Sequence, residues 1–448
     1  MKLPENPPDW DLLFEKYVKN TETFLKLLRY GGSTDTKGRY LHWDKVRYLD
    51  PPDNFSADEY WAAMKLARNH QYRPLPFLDK FGRHFQYLVT DQMFSVLHWL
   101  DLNASGTIKM EPISSPVTGK AYLVSSLMEE AINSSLIEGA ATTREVAKEM
   151  LRDGRRPQDH GERMIYNNYL AMQFIRELRD ETLTKEMVLE LHRILTDGIL
   201  EPEKAGLLRT DDDKIRVIGA DQRILHTPPP AVELEERLKR LCDFANQEED
   251  GRSFLHPILK GIILHFMIGY DHPFVDGNGR TARALFYWYA LRHGYWLLEY
   301  LSISAVIKEA PQQYVKAYLH TETDDNDVSY FLIHQLETVQ KAIERMHAYL
   351  ARKAAEIESA ERLLDGTTLS GGLNERQLAV LEHALKHPGA VFTIEGHRKS
   401  HDTSYQTART DLLRLSDELR ILTRRKRGNA FVFVAPLSLK KALERFRV

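Results

Sequence analysis

The feature that most limits how this chain can fold is the change around residues 365–372, where a long helical pattern gives way to a linker. Before it, apolar residues recur at alternating steps of four and three: Leu332, Leu336, Val339, Ile343, Met346 and Leu350. This spacing predicts one helix over about 327–364 whose apolar stripe either packs on preceding helices or forms a dimer seam. The run DGTTLSGG at 365–372 has the composition of a flexible linker. The chain is therefore expected to fold as at least two units.

Charge divides the chain at the same place. The net charge of -3 is a cancellation, because residues 373–448 hold 15 Lys and Arg against 8 Asp and Glu, a net of +7, and the remainder carries -10. Only the tail has the sign that attracts nucleic acid. The single cysteine, Cys242, excludes a disulfide framework and a cysteine-based zinc site. The chain begins without a signal-peptide pattern and has no apolar run of membrane-spanning length, so we expect a cytoplasmic protein with no membrane partner.

Most of the remaining pattern is helical. Helices are predicted over 123–138 and 184–196, and a β-hairpin is predicted from residues 214–218 and 223–225. In the first 100 residues, the segments 40–53 and 72–85 have the composition of loops and turns. We find no chemical motif in that region.

The most informative segment is the run HPFVDGNGRTAR from His272 to Arg283. The residues Gly277, Asn278 and Gly279 stand where a helix is predicted to begin, so converging backbone N–H groups and the positive end of the helix dipole can hold an anion. Arg280 and Arg283, three residues apart, add forked donors for phosphate oxygens.

Two further residues of this run suit phosphate-ester chemistry on a nucleotide. Asp276 can hold a Mg²⁺ ion that bridges phosphates. His272 can act as a general base, since the ordinary pKa of histidine is close to working pH. Two other interpretations stay open at this point: a loop that only caps a helix, and a metal site made of His265, His272 and Asp276.

The run resembles the motif of the Fic family, H-x-F-x-(D/E)-G-N-G-R-x-x-R, at every defined position. The resemblance extends over roughly 120–330. It implies an α-helical core that transfers AMP from ATP to a Ser, Thr or Tyr hydroxyl of a protein target and releases pyrophosphate. It assigns the roles of base (His272), magnesium ligand (Asp276), anion hole and phosphate contact (Gly277, Asn278 and Gly279), phosphate support (Arg280) and γ-phosphate binding (Arg283).

A second resemblance suggests that the activity is restrained. The segment from Ser134 to Gly139, SSLIEG, is similar to the family's inhibitory motif, [S/T]-x-x-x-E-[G/N]. This implies an ion pair between Glu138 and Arg283 that keeps Arg283 from the γ-phosphate. Some members with this glutamate also remove AMP, and the sequence leaves that activity open. The predicted hairpin resembles the family's flap, in which Ile215, Val217 and Ile218 would hold the target by strand addition.

The basic tail is predicted to form helix, short helix, helix and hairpin, an order that resembles a winged helix-turn-helix. Residues 404–414 would form the recognition helix. The wing would be a basic turn between the strands 421–423 and 430–434, with the side chains Arg424, Arg425, Lys426 and Arg427. DNA binding is one interpretation. A protein–protein or dimer module with a solvated basic loop is the other.

The sequence thus predicts a mainly α protein: a Fic-type helical bundle with a small β-hairpin flap, followed by a winged-helix domain. The predicted divisions are an N-terminal helical region (1–115), a catalytic core (116–330), a long connecting helix (331–364) and the tail (373–448). The inhibitory helix (123–139) is part of the core. The expected function is protein adenylyltransfer with ATP and Mg²⁺, and a homodimer is an open alternative to the monomer. The second functional hypothesis is a DNA-binding regulator that uses the core as a nucleotide sensor.

Overall fold

The structure, a computed structural model, describes residues 2–105, 116–219, 221–247, 254–364, 369, 372–401, 403–427 and 430–446. It is mainly helical, as predicted, with three small antiparallel sheets. Most of the predicted linker at 365–372 and the tip of the last hairpin at 428–429 lie outside the described residues. Within the described residues, no helix is both long and apolar enough to cross a membrane.

The first hundred residues contain five helices and a hairpin. The elements are α1 (Trp10–Val18), α2 (Thr21–Tyr30), α3 (Trp43–Val46), α4 (Ala57–Asn69), β1 (Arg73–Leu78), β2 (His84–Tyr87) and α5 (Asp91–Ala104). The prediction of loops over 72–85 was wrong, because these residues form the β1–β2 hairpin. Prolines 74 and 76 obscure an alternation that buries Leu75 and Phe77. Asp79 closes the turn by accepting the N–H groups of Phe81 and Arg83.

The central helices surround the motif. They are α6 (Pro116–Ile137), α7 (Arg144–Asp153), α8 (His160–Glu177), α9 (Lys185–Thr196), α10 (Leu234–Asn246), α11 (Pro257–Asp271), α12 (Asn278–Arg292), α13 (Ile303–Glu309), α14 (Pro311–Thr323) and α15 (Ser329–Leu364), with the hairpin β3 (Val217–Ile218) and β4 (Ile224–His226) between α9 and α10. Helices α11 and α12 pack closely against each other and are buried on almost every side by the surrounding helices.

The N-terminal region is joined to this core by buried polar contacts. Lys65 of α4 places its Nζ 2.8 Å from Asp324 Oδ1, and both side chains are 1% exposed. Arg68 Nη1 donates to the Tyr330 hydroxyl at 2.7 Å, and the Tyr40 hydroxyl donates to Asp327 Oδ2 at 2.6 Å. Apolar side chains of the β1–β2 hairpin and of α5 belong to the same hydrophobic cluster as α11 and α12. Residues 73–104 thus share a hydrophobic core with the central helices, whereas α1, α2, α3 and α4 have a cluster of their own.

The stripe of α15 lies inside the chain's own core. Leu332, Leu336, Val339, Ile343 and Met346 are all buried in the main cluster, so these positions pack on preceding helices and do not form a dimer seam. The last stripe residue, Leu350, has a side chain outside the described set.

The tail has its own hydrophobic cluster and a three-stranded sheet. Its elements are α16 (Glu375–Lys386), β5 (Val391–Thr393), α17 (Ile394–Ser400), α18 (Tyr405–Leu413), β6 (Thr423–Arg427), β7 (Ala430–Val434) and α19 (Leu439–Leu443). The strand order is β5-β7-β6. The helix order was predicted, whereas β5 was missed and the basic turn was placed wrongly. Arg424 to Arg427 belong to β6, where they pair with the apolar strand β7.

Candidate active site

The run that begins at His272 forms a loop between the buried helices α11 and α12. His272 ends α11 in the left-handed conformation, at φ 46°, and Gly277 precedes α12 at φ 83°. Asn278 holds the loop closed, because its amide accepts the Phe274 N–H and donates to the Phe274 carbonyl, both at 2.9 Å. Both polar groups of this side chain therefore have partners within the loop. The backbone N–H of Asn278, at the start of the helix, is the group that can bind an anion.

His272 has the hydrogen bond that a general base needs. Its Nδ1 lies 2.9 Å from the carbonyl oxygen of Gly269, and since a carbonyl can only accept, Nδ1 carries the proton. Nε2 is then unprotonated in the neutral ring. Burial lowers the pKa of His272, and the hydrogen bond to Gly269 opposes this in part. The neutral form, which can take a proton, is therefore favoured near neutral pH.

Arg209, which precedes the flap hairpin, fixes the backbone of this loop. Its Nε donates to the His272 carbonyl at 2.7 Å, and its Nη2 donates to the Pro229 carbonyl at the same distance. Its own N–H bonds to the Pro273 carbonyl at 2.9 Å. The guanidinium thereby ties the proline run after the flap to the base.

His192, on α9, supports the other side of the loop and was missed by sequence reasoning. Its ring stacks on Phe274 with centroids 3.7 Å apart and planes 3° apart. Its Nε2–H donates to the Asp276 carbonyl at 2.9 Å, and its Nδ1 accepts the Gly206 N–H at 3.0 Å. Burial lowers the pKa of His192 to about 4, so the ring is neutral and each nitrogen has one partner. Nothing in the local pattern of α9 distinguishes this histidine from an ordinary core residue.

Arg283 is fully buried and pairs with the end of α6. Its Nε donates to Ser134 Oγ at 2.9 Å, and its Nη2 donates to the Ser134 carbonyl at 3.1 Å and to Glu138 Oε1 at 2.9 Å. Burial alone would lower the pKa of this arginine, but the carboxylate of Glu138 outweighs it and raises the pKa. The structure thus brings together the two segments, about 145 residues apart, that the sequence predicted to meet.

The carboxylate of Glu138 also covers the small residues of the loop. A Cβ atom at Gly279 would lie 2.2 Å from Glu138 Oε1 and 3.1 Å from Arg283 Nη1. The space over Gly279 is therefore where a negative group sits in this state. Arg283 Nη1 is buried and has no hydrogen-bond partner among the described residues. A buried guanidinium N–H that faces an anion position fits a phosphate oxygen.

Arg280 and Asp276 form the outer part of the loop. Arg280 is buried, donates through Nη1 to the Leu195 carbonyl at 3.1 Å and through Nη2 to Asp276 Oδ2 at 3.0 Å, and burial lowers its pKa. Asp276 is 48% exposed. A half-exposed carboxylate beside an anion position suits a hydrated Mg²⁺ that arrives with phosphates. The residues present therefore fit the metal.

The alternative metal set of His265, His272 and Asp276 does not match the geometry. His265 Nε2 lies 2.8 Å from the Tyr314 hydroxyl, while Nδ1 of His272 is bonded to Gly269 and the Asp276 carboxylate pairs with Arg280. The three side chains thus have different partners. Burial holds the pKa of His265 well below its usual value, so it is a neutral member of the core.

The flap is shorter than predicted. Val217 and Ile218 form β3, whereas Ile215 precedes it, outside the strand. Ile218 is 54% exposed, and His226, at the end of β4, places its Nε2 2.7 Å from the Tyr270 carbonyl. The two-stranded sheet is thereby attached to the end of α11, next to the base. Ala220, at the predicted turn, lies outside the described residues.

Residues 182–290 match the model of the Fic/DOC family. Among curated relatives, the Protein adenylyltransferase Fic of Drosophila willistoni is 33% identical over 158 residues, which is 35% of this chain and 29% of that protein. The protein of the same name from Drosophila virilis is 34% identical over 158 residues, 35% of this chain and 30% of its own. The chain matches less than a third of the length of these relatives.

Among solved structures, two Fic proteins align with most of this chain. A Fic family protein from Desulfovibrio desulfuricans G20 has a TM-score of 0.48 and 18% identity, with 78% of this chain and 95% of that chain covered. Fic-1 from C. elegans has a TM-score of 0.48 and 17% identity, with 78% and 90% covered.

Proposed function

We propose that this protein is a protein adenylyltransferase that transfers AMP from ATP to a Ser, Thr or Tyr hydroxyl of a protein target, and that Glu138 restrains it. The observation that carries the proposal is the grouping, around the start of α12, of an unprotonated His272 Nε2, the helix start at Gly277–Gly279 and the buried Nη1 of Arg283. The Fic/DOC domain and the names of the curated relatives support the same activity.

The proposed reaction begins at the base. The target hydroxyl gives its proton to His272 Nε2, while the hydrogen bond from Nδ1 to Gly269 holds the ring and stabilises the charge that it gains. The hydroxyl oxygen then attacks the α-phosphorus of ATP, the bond to the bridging oxygen breaks, and pyrophosphate leaves. Backbone N–H groups at the start of α12, with Arg280 and Arg283, offset the charge of the phosphates. Asp276 would hold Mg²⁺, which neutralises phosphate charge when it is bound.

Restraint follows from where the carboxylate of Glu138 lies. It occupies the space over Gly279 and accepts a hydrogen bond from Arg283 Nη2. A phosphate group therefore cannot occupy the space over Gly279 and bind Arg283 Nη2 while Glu138 is in this position. A phosphate group placed next to the Glu138 carboxylate would be repelled by it, because both are negatively charged and the site is partly buried. We infer that the nucleotide either displaces Glu138 or binds in a misplaced position.

The test uses the full chain and labelled ATP. Glu138→Gly should label proteins in a cell lysate at least about tenfold more than wild type, corresponding to about 1.4 kcal/mol or more of restraint. Parallel reactions with GTP, CTP and UTP identify the nucleotide, and the double variant Glu138→Gly/His272→Ala should be inactive. The matched control is Glu145→Ala, which removes an exposed carboxylate from the first turn of the next helix.

Two outcomes would contradict the proposal in different ways. If Glu138→Gly binds ATP but labels no protein, the enzyme proposal is wrong. If wild type and Glu138→Gly label equally, transfer stands and the restraint does not. Incubation of the labelled target with wild-type protein then shows whether AMP is also removed, which would lower the label with time.

A second proposal concerns the tail, which we infer to bind DNA. All five residues of β6, TRRKR, are exposed, and the side chain of Ser404 caps the start of α18. Arg424 is paired with Asp417 at 2.7 Å, so Arg425, Lys426 and Arg427 are the better phosphate ligands. Each phosphate contact should add about 0.9 to the slope of log affinity against log salt.

Fluorescence anisotropy with duplex DNA tests this. Arg425→Ala/Arg427→Ala should lower the salt slope by about 1.8 and weaken binding. The control Lys16→Ala/Lys19→Ala removes the same charge from exposed positions of the N-terminal region and should leave the slope unchanged. Equal slopes for all three proteins would refute DNA binding through β6 and favour a protein–protein module.

A further inference from the structure

A cluster of metal-ligand side chains lies outside the proposed active site, where the N-terminal region meets α14. His42 caps α3, Asp44 is in its first turn, and His320 is in the last turn of α14. Each offers one ligand atom, and these atoms all lie within 4.8 Å of one another. The side chain of His42 is 0% exposed, that of Asp44 12% and that of His320 16%, so the cluster is nearly buried but still borders on solvent.

The distances are those of a tetrahedral zinc site. Asp44 Oδ1 is 3.4 Å from His42 Nδ1 and 3.4 Å from His320 Nε2. Ligand atoms that are about 2.0–2.1 Å from a zinc ion and at tetrahedral angles lie about 3.3–3.4 Å from one another. Two of the three edges among these atoms thus already have the required length.

The hydrogen bonds around His42 leave its Nδ1 without a proton. The hydroxyl of Thr323 donates to the Leu319 carbonyl at 2.6 Å, so it accepts from His42 Nε2–H at 3.2 Å. His42 Nδ1 accepts the Asp44 N–H at 3.2 Å. In the neutral ring, the lone pair of Nδ1 therefore lies beside a carboxylate oxygen with no hydrogen between them.

His320 approaches the same oxygen from its other side, with Nε2 3.4 Å from Asp44 Oδ1. Its Nε2 is buried and has no hydrogen-bond partner among the described residues, although Asp44 Oδ1 is near. A carboxylate oxygen and two imidazole nitrogens that converge in a nearly buried place are stabilised by a cation between them. Two imidazoles and one carboxylate are the ligand set that first-row divalent ions, and zinc above all, use with water as a fourth ligand.

We propose that His42, Asp44 and His320 bind one Zn²⁺ ion, with water as the fourth ligand on the side that borders solvent. The two imidazole rings stack at 4.4 Å with 10° between their planes, so the more exposed ring, His320, turns to direct its lone pair at the ion. The Asp44 N–H gives up its bond to His42 Nδ1 in exchange. The ion fastens α3 to α14, beside the buried pair of Lys65 and Asp324.

The experiment measures metal binding by the full chain, so its outcome does not depend on transfer activity. Protein stripped with a chelator and dialysed against Zn²⁺ should retain one ion per chain by elemental analysis. Co²⁺ in its place should give a visible absorption band that an equimolar amount of Zn²⁺ removes. His320→Ala and the near-isosteric Asp44→Asn should each weaken Zn²⁺ affinity by at least about 100-fold, since loss of even an outer partner costs 10–100-fold.

The control is His98→Ala, which removes an exposed imidazole from α5 and should leave stoichiometry and the absorption band unchanged. Circular dichroism shows whether each variant is folded. If His320→Ala does not fold, Asp44→Asn is the variant that tests the site. The proposal is overturned if the wild-type chain retains no stoichiometric zinc. It is also overturned if a folded Asp44→Asn or His320→Ala binds zinc as wild type does.

Discussion

The contact between Gly279 and Glu138 allows a test in which the two residues are changed separately and together. In Gly279→Ala the new Cβ would lie 2.2 Å from Glu138 Oε1. An ordinary contact of about 3.5 Å would require the carboxylate to retreat by about 1.3 Å. The hydrogen bond of 2.9 Å from Arg283 Nη2 would then be broken.

The magnitude follows from the type of bond. A hydrogen bond to a charged group contributes about 1.5–3 kcal/mol, and alanine in place of glycine in a helix returns about 0.5–1 kcal/mol. Gly279→Ala should therefore lower the free energy of unfolding by about 0.5–2.5 kcal/mol. In the Glu138→Ala background the clash is absent, so the same change should be neutral or stabilising by up to about 1 kcal/mol.

The assay is urea-induced unfolding of the four proteins, followed by tryptophan fluorescence. The coupling energy of the double-mutant cycle should be about 1.5–3 kcal/mol. Because the cycle uses differences, any separate transition of the tail cancels. A coupling energy below about 0.5 kcal/mol would refute the reasoning that Glu138 occupies the space over Gly279.

Two further predictions concern the histidines of the site. Burial lowers the pKa of His272, so kcat/KM of Glu138→Gly should fall at acid pH, as Nε2 gains a proton, with a midpoint below 6.5. A midpoint at or above 6.5 would contradict this. His192→Phe keeps an aromatic ring stacked on Phe274 but leaves the Gly206 N–H and the Asp276 carbonyl without a hydrogen-bond partner. The free energy of unfolding should therefore drop by about 2–4 kcal/mol. A drop below about 0.5 kcal/mol would show that these hydrogen bonds do not stabilise the fold.

The loop could be predicted because its chemistry is contiguous. Its base, carboxylate, glycines and arginines lie within twelve residues, and the spacing alone places them at a helix start. The fold around it was predictable where apolar periodicity is strong, as in α9 and α15. The structure then adds the side chains that hold the loop from a distance.

Those supporting residues were missed for a physical reason. His192 contacts Asp276 from 84 residues away, and a histidine in an amphipathic helix gives no local signal of its partner. Arg209 lies in a polar run, and only the folded chain shows that it binds three carbonyls around His272. The basic residues of β6 were placed in a turn because a run of exposed charges does not show the alternation of a strand, although it pairs with β7.

The buried contacts between α4 and Asp324 have a consequence for how this protein can be divided. A fragment that begins at residue 116 would keep Asp324 and lose both Lys65 and Arg68, its cationic neighbours. Leaving one partner of a buried ion pair alone costs about 3–5 kcal/mol, a large share of the stability of an ordinary domain. Asp327 would lose the Tyr40 and Tyr72 hydroxyls at the same time. The smallest autonomous folding unit that contains the His272 loop is thus expected to begin before Tyr40, well upstream of the segment that the family shares.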